Sequence, residues 1–410
     1  MTPIITIPGS KSYTNRALLM AALAPGQSVL KGCLLSDDTK VMIEALETLG
    51  VKITTNETTL TIDAPKTLRG PLGPLHLGNA GTAVRFLTAI LAHQPFLSVI
   101  TGDPRMQERP IQDLIDALSE LGANITGQNG CPPLTIHGSP LTRSETHITG
   151  KNSSQYISAL MILAPLLPEG LTIHVEDEAT SKPYLDMTLD LMNKFCIQDV
   201  EREQFSRFTI PSQKYQPTDL IIEADASSAT YFFGLAAITE KTITVANLSR
   251  QTLQPDIQIL DYLEQMGCQI HEDETGITVT GPEQLKPLGQ INANSFPDGA
   301  MTLAVVSAFA PGKTTLTGLH NLRIKECDRL EALKTELNRI GITAETTDDS
   351  LTIHGNPTSM HGAPIKTYKD HRMAMCFGMA KTRIPDLEIL DPDCVSKTYP
   401  NFWEDLKKVQ

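Results

Sequence analysis

Apolar positions recur along the chain at two spacings, and the two alternate. In one kind of segment they come every three or four residues with polar residues between, which predicts helices with a single buried stripe. Each such segment runs into a short alternating stretch, a polar turn and a second alternating stretch, the pattern of a hairpin. The copies are "MIEALETLGVKITTNETTLTI", "LIDALSELGANITGQNGCPPLTI", "MTLDLMNKFCIQDVEREQFSRFTI", "ILDYLEQMGCQIHEDETGITV" and "ALKTELNRIGITAETTDDSLTI". With Gly50, Gly122, Cys196, Gly267 and Gly341 as markers, the steps are 72, 74, 71 and 74 residues. So regular a period marks a repeat architecture. Glycine at the junction lets a helix end in left-handed backbone and turn into a strand without a Cβ clash. Cys196 lacks that freedom, so the third copy is expected to end its helix differently.

A second kind of segment keeps the same beat but is apolar on most faces: "SKSYTNRALLMAALAPG", "NAGTAVRFLTAILAHQP", "NSSQYISALMILAPLLPEG", "DASSATYFFGLAAITEK", "PDGAMTLAVVSAFAPGK" and "KDHRMAMCFGMAKT". Each opens with Ser, Asn or Asp, which can cap a helix N-terminus, and most stop at Pro or Gly. Helices apolar all round must be buried against one another, while one-sided helices cover strands and face water. The chain therefore reads as α/β, six repeated βαβαββ units arranged as a two-domain inside-out α/β barrel, three units per domain, with helices inside and sheets outside. The sixth unit has the helix "YPNFWEDLKK" but no hairpin, and "PIITIPG" is the natural segment to complete it. That assignment gives one domain at 10–222 and another from 1–9 plus 223–410, with two crossovers between them.

Composition narrows the function. The chain has 410 residues, 40% hydrophobic and 20% charged, with a formal net charge of -13. That acidity and an aromatic content of 5% argue against nucleic acid as a partner, which calls for basic surfaces and stacking platforms. Seven scattered cysteines with no C-x-x-C spacing fit free thiols in a reducing compartment. No apolar run approaches the roughly 20 residues of a membrane helix, and the first motif begins by residue 8, so a cytoplasmic protein with no membrane partner is expected.

Against this acidic background, Lys11, Arg16, Arg85, Arg105, Lys325, Arg329, Arg372 and Lys397 gather at the starts of the apolar helices or in the loops before the one-sided ones. Backbone N–H groups and the helix dipole favour anions at those ends, so cations there predict a phosphate or carboxylate site at a cleft between the domains. Any one of these residues alone reads better as a surface charge; eight at repeat-equivalent positions do not. Two acids stand among them, Asp298 in "FPDGAM" and Glu326 in "IKECDRL", placed to serve as ion-pair partners or as general acid and base. Asp370 and His371 read first as a capping Asp and a structural His. Asp37 and Asp38 read as helix-start caps rather than a metal pair. "PGSKS" echoes a P-loop faintly, but Ile4 stands where its first glycine belongs, and Ser10 parts Gly9 from Lys11.

The motifs "PGSKSYTNRAL", "LGNAGTAVRFL", "GDPRMQERPI", "SSQY", "SKPY", "DASSA", "PDGAMT", "NLRIKECDRL", "KDHRMAM" and "CVSKTYP" resemble, in order and from end to end, those of the 5-enolpyruvylshikimate-3-phosphate synthases. The resemblance implies addition of the 5-hydroxyl of shikimate 3-phosphate to phosphoenolpyruvate and elimination of phosphate, without metal or organic cofactor, by a monomer that takes small-molecule substrates. By motif it implies Ser12, Arg16, Ser153, Ser154, Ser181, Asn321 and Lys325 on shikimate 3-phosphate, with Lys11 and Asp298 beside it and Gln155 between the substrates. Lys11, Arg105, Arg329, Arg372 and Lys397 are implied around phosphoenolpyruvate, and Asn79, Gly81 and Thr82 form its wall. Asp298 is expected at the reacting hydroxyl, and Glu326 with Lys11 in proton transfer at C3. Because Gly81 adds no side chain to that wall, inhibition by glyphosate competitive with phosphoenolpyruvate is expected.

Some positions depart from the commonest pattern: Phe86 stands where many members carry proline, Gly299 where alanine is frequent, and Lys151 and Asn152 precede the serine pair. Two other readings stay open at this stage. The UDP-N-acetylglucosamine enolpyruvyl transferases share the scaffold and the enol donor, but usually have Lys-Asn where Lys11 and Ser12 stand, and Asp103 here belongs to the "GDPRM" motif. A non-catalytic anion-binding protein would keep the cations and lose the acids, and Asp298 and Glu326 are both present.

Overall fold

In the computed structural model, which describes residues 2–409, the chain divides into two compact units, 9–222 and 1–8 with 223–410. We call these the N-terminal and C-terminal units.

The chain opens with strand β1 (Ile4–Ile5). The N-terminal unit then has α1 (Lys11–Ala22), β2 (Gly26–Lys31), α2 (Asp37–Thr48), β3 (Lys52–Asn56) and β4 (Thr59–Ala64). Its second repeat is β5 (Leu75–His76), α3 (Gly81–Ala92), β6 (Leu97–Thr101), α4 (Gln112–Glu120), β7 (Asn124–Gln128) and β8 (Cys131–His137). The third is β9 (Glu145–Ile148), α5 (Ser154–Leu163), β10 (Leu171–Val175), α6 (Pro183–Lys194), β11 (Glu201–Glu203) and β12 (Arg207–Ile210), followed by β13 (Asp219–Ile221). The C-terminal unit repeats the order: α7 (Ala226–Thr239), β14 (Thr242–Val245), α8 (Ile259–Gln265), β15 (Gln269–Asp273), β16 (Gly276–Thr280); β17 (Gly289–Asn292), α9 (Pro297–Ser307), β18 (Gly312–Thr317), α10 (Arg329–Arg339), β19 (Thr343–Thr346), β20 (Leu351–Gly355); then β21 (Pro364–Ile365), α11 (His371–Ala380), β22 (Glu388–Ile389) and α12 (Phe402–Val409).

The all-apolar helices are interior, as their pattern requires: every residue of α3 and of α11 is buried. Each unit has its own hydrophobic core around three such helices. A typical sheet joins the strand before the buried helix to the strand after it in parallel, then adds the hairpin antiparallel, as in β5-β6-β8-β7 and β17-β18-β20-β19.

Three sequence expectations change. β1 does not complete the sixth unit, whose sheet is the pair β21-β22; it joins β14-β16-β15, pairing in parallel with β14. The reason is local: Ile5 and Ile7 are buried in the C-terminal core, and the Asn247 side chain accepts from the Ile7 amide (2.9 Å) and donates to its carbonyl (2.7 Å). Reciprocally, β13 pairs with β2, so the strands preceding α1 and α7 are exchanged between the first and fourth sheets. At the crossover a side chain on Gly9 would lie 1.9 Å from the Gly32 carbonyl oxygen, so only glycine fits.

Cys196 also ends its helix as the glycines do. Its φ is 64°, against 97°, 101°, 106° and 90° for Gly50, Gly122, Gly267 and Gly341. A Cβ in this region costs about 1 to 2 kcal/mol, which the third repeat tolerates rather than avoids. Finally, Ser10, Ser153, Asp225 and Asp370 cap their helices through side chains, but α3 and α9 begin at Ala80 and Phe296 with no side-chain cap.

Candidate active site

In the N-terminal unit the first turns of α1, α3 and α5 meet at one end of the buried bundle. Gln155, in the first turn of α5, donates to the Thr82 hydroxyl of α3 (3.2 Å) and accepts from Arg85 (2.6 Å). Arg16 of α1 reaches the Ser158 hydroxyl of α5 (3.3 Å), the Thr188 hydroxyl of α6 (2.8 Å) and the carbonyls of Ser12 (3.1 Å) and Tyr184 (3.5 Å), and its guanidinium lies over the Phe86 ring at 5.2 Å. Its exposure is 1%. Among the described residues no carboxylate pairs with Arg16 or Arg85; their partners are neutral oxygens. Burial lowers the Arg16 guanidinium to about 10, so it keeps its charge at neutral pH. Removing such a charge from water costs several kcal/mol unless counter-charge arrives.

Gly81 brings the backbone close to two guanidiniums, whose flexible ends a side chain there would push aside. A Cβ there would sit 2.5 Å from an Arg85 nitrogen and 2.7 Å from an Arg109 nitrogen. Arg109 in turn donates to the carbonyl and side-chain oxygens of Asn79 (3.2 and 2.9 Å), which fixes the turn before α3. With no side-chain cap, the first amides of α3 keep their donor capacity beside these guanidiniums, the arrangement that suits a small anion.

Lys11 pairs with Asp38 (3.2 Å). This corrects the reading of Asp38 as a cap: Ser36 holds the helix-start position, and Asp38 in the first turn takes the lysine. Ser153 caps α5, Ser154 is buried behind it, and Ser181 is buried with φ at 53°, a conformation uncommon for serine. Arg105 is half-exposed and pairs with Glu108 (3.0 Å).

In the C-terminal unit the first turns of α7, α9 and α11 converge in the same way, but the arginines meet acids. Arg329, also 1% exposed, contacts Asp298 (2.8 Å), Glu326 (2.9 Å) and Asp370 (2.7 Å). Arg372 takes the other Asp298 oxygen (2.8 Å) and the Tyr231 hydroxyl (3.2 Å). Asp298 is thus clamped between two guanidiniums. Burial opposes the charge on Arg329, but Asp370, Glu326 and Asp298 outweigh it and hold the guanidinium well above its usual range. The same balance, led by Asp298 and Tyr231, raises Arg372.

Asp370 caps α11 through the Arg372 amide (2.9 Å) while binding Arg329, so the capping role expected of it comes with an ion pair. Beneath Asp298, buried Asp256 accepts from the Gly299 amide (2.9 Å) and from the Ser227 hydroxyl. Burial and then the Asp298 charge push its carboxyl up to about 6. Asn321 is buried in the turn before Lys325, and Lys325 and Lys397 are half-buried.

Across residues 1–406 the chain matches the family described as EPSP synthase (3-phosphoshikimate 1-carboxyvinyltransferase). The chain belongs to the EPSP synthase family. Relatives named 3-phosphoshikimate 1-carboxyvinyltransferase from Cronobacter sakazakii and Escherichia coli are each 42% identical, over 99% of this chain and 95% and 96% of theirs. An EPSP synthase structure from Acinetobacter baumannii superposes with a TM-score of 0.82 at 27% identity, covering 100% of this chain and 95% of that one. The enolpyruvyl transferase NikO from Streptomyces tendae, at 17% identity and a TM-score of 0.75, shares the fold. The two-domain inside-out α/β architecture and membership of the enolpyruvyl transferases both stand.

Sequence reasoning for this enzyme missed two residues, Arg109 and Asp256, and misread a third, Asp38. Arg109 lies inside the motif "GDPRMQERPI" that supplied Arg105, and only burial separates the two. Asp256 follows a proline, as Asp298 does, a signal that was available. The pairing of Asp38 with Lys11 had no local signal, because the two are 27 residues apart.

Proposed function

We propose that this chain carries out the family's reaction, transfer of the enolpyruvyl group of phosphoenolpyruvate to the 5-hydroxyl of shikimate 3-phosphate with release of phosphate, with buried Arg16 and Arg85 serving anion binding and Asp298 serving acid–base chemistry. The observation that carries this reading is the contrast between buried Arg16 and Arg85, which have neutral partners, and Asp298, which is held by two arginines.

Arg16, Ser12, Ser153, Ser154 and Ser181, with Asn321 and Lys325 from the C-terminal unit, are assigned to shikimate 3-phosphate. Lys11, Arg105, Arg329, Arg372 and Lys397 are assigned to phosphoenolpyruvate, with Asn79, Gly81 and Thr82 as its wall and Gln155 serving both substrates. In the addition step the 5-hydroxyl bonds to C2 as its proton leaves toward Asp298, while C3 gains a proton from the Glu326 and Lys11 pair. In the elimination step C3 returns a proton, the C–O bond to phosphate breaks and the product alkene forms. The guanidiniums stabilise charge on the departing phosphate. No step draws on a metal or organic cofactor. We further assign the enzyme to the cytoplasm as a monomer; all seven cysteines are free, and no helix among the described residues is long and apolar enough to cross a membrane.

A phosphate-release assay with both substrates tests the reading. Release that requires both, and that falls with glyphosate in competition with phosphoenolpyruvate, is expected. Near-normal turnover by Glu326→Ala would remove Glu326 from proton transfer, and unchanged rates at millimolar glyphosate would overturn the assignment of the Gly81 wall.

A further inference from the structure

On the solvent face of the β9–β10 pair, Glu145, His147 and His174 each offer one ligand atom, and these atoms lie within 4.8 Å of one another. Their convergence follows from strand geometry. Glu145 and His147 are two apart on β9 and so share a face, and His147 stands directly opposite His174 in the parallel register. The two imidazole rings stack with centroids 4.9 Å apart and planes at 17°, and His174 Nε2 lies 2.7 Å from Glu145 Oε1.

A fourth residue points to a ligand independently. Glu120, the last residue of α4, lies 3.4 Å from His147 Nδ1 and is itself held by the His147 amide (2.7 Å) and the Thr146 hydroxyl (3.0 Å). A carboxylate on one ring nitrogen, fixing the ring and leaving the other nitrogen outward, is the usual outer-shell support of a metal-binding histidine. We propose that Glu145, His147 and His174 bind a divalent first-row transition ion, oriented by Glu120, with water in the open positions.

Two imidazoles and a carboxylate suit zinc, copper or nickel rather than magnesium or calcium, which prefer all-oxygen shells. Metal bonds of about 2.0 to 2.2 Å at a tetrahedral angle set donors roughly 3.3 to 3.6 Å apart, so the ion displaces the proton between His174 and Glu145, opens that pair slightly, draws in donors now up to 4.8 Å apart and tilts the stacked rings so that both nitrogens face it. Because one ligand is on β10 and two are on β9, the ion ties the strand leading to Ser153 to the strand leaving α5. None of the four residues belongs to the transfer machinery.

Zinc titration of the full-length enzyme by calorimetry, with melting curves in parallel, tests this. The expected result is one ion per chain with micromolar or tighter affinity, a melting temperature raised by zinc and unmoved by magnesium, and affinity lowered at least tenfold by His147→Gln and by His174→Gln. Glu120→Gln, which removes no ligand, should weaken binding about 10- to 100-fold, while metal-free turnover of all three variants stays at the wild-type level. Absence of zinc binding at concentrations up to about 100 µM, well above the micromolar affinity expected here, overturns the proposal. So does zinc binding undiminished in both histidine variants.

Discussion

The two buried helix bundles have one design and opposite electrostatics. In the N-terminal unit, α1, α3 and α5 bring Arg16 and Arg85 together with hydroxyl, carbonyl and amide oxygens. In the C-terminal unit, α7, α9 and α11 bring Arg329 and Arg372 together with Asp298, Glu326 and Asp370. Helix N-termini carry partial positive charge in both places. One unit adds cations to that field and leaves it to be neutralised from outside, which favours an anionic ligand. The other fills the field with carboxylates, each paired with a buried arginine. A repeat that looks uniform in sequence thus carries two different charge patterns.

The comparison breaks most visibly at Arg329. Replacing it with Met strips three carboxylates of their shared partner, and the expected cost is about 3 to 5 kcal/mol of stability, read from urea unfolding, together with loss of turnover. A variant as stable as the wild type would mean that the acids are not held by Arg329.

Asp256 should show its effect through pH. An acid whose folded value rises from 3.8 to about 6 keeps its proton in the folded state where the unfolded chain has lost it. Its contribution to stability therefore falls as pH climbs from about 4 to about 6 and stays lowered above that. Asp256→Asn does not titrate, so the stability of the variant relative to wild type should rise by about 2 kcal/mol between pH 4 and pH 7. Parallel unfolding curves at the two pH values measure this, and a constant difference would refute it.

Arg16→Met is the counterpart of Arg329→Met and should behave in the opposite sense. The Thr188 hydroxyl, Ser158 and the Tyr184 carbonyl keep bonds among themselves, and the buried charge disappears. Stability should change by no more than about 1 kcal/mol, while shikimate 3-phosphate affinity falls by about 2 kcal/mol, the worth of a charged hydrogen bond. Binding calorimetry beside thermal melts separates the two, and a large loss of stability with unchanged affinity would make Arg16 structural. The smallest effect belongs to Cys196→Gly, which relieves left-handed strain in the same unit without touching its charge. It should raise stability by about 1 kcal/mol and leave both substrate affinities alone.

Much of this was legible in the residues. The period of the glycine junctions carried the repeat, and apolar faces separated interior helices from covering ones, because burial is a property of a segment's own pattern. The motifs carried the acids and cations by position. Three points were not legible. β1 and β13 are exchanged between sheets, although each lies next to a different helix in sequence. Cys196 adopts the glycine conformation because its helix closes with the same bond as the glycine copies, the Ile197 amide to the Met192 carbonyl (2.9 Å) as Val51 to Leu46 (3.0 Å). Arg16 and Arg329 are equally buried basic residues on helical segments, and nothing nearby in sequence says that one meets hydroxyls and the other carboxylates.

What the amino-acid sequence determined alone is what depends on neighbours along the chain: helix and strand periods, turn glycines, most caps, the number of repeats, and which motifs carry chemistry. What the tertiary structure decided is which distant groups meet. Asp298 and Arg372 are 74 positions apart, and Arg16 and Thr188 are 172 apart. A charge's partner sets whether it binds, positions or reacts, since Coulomb energy and desolvation depend on distance and burial in space rather than on order in the chain.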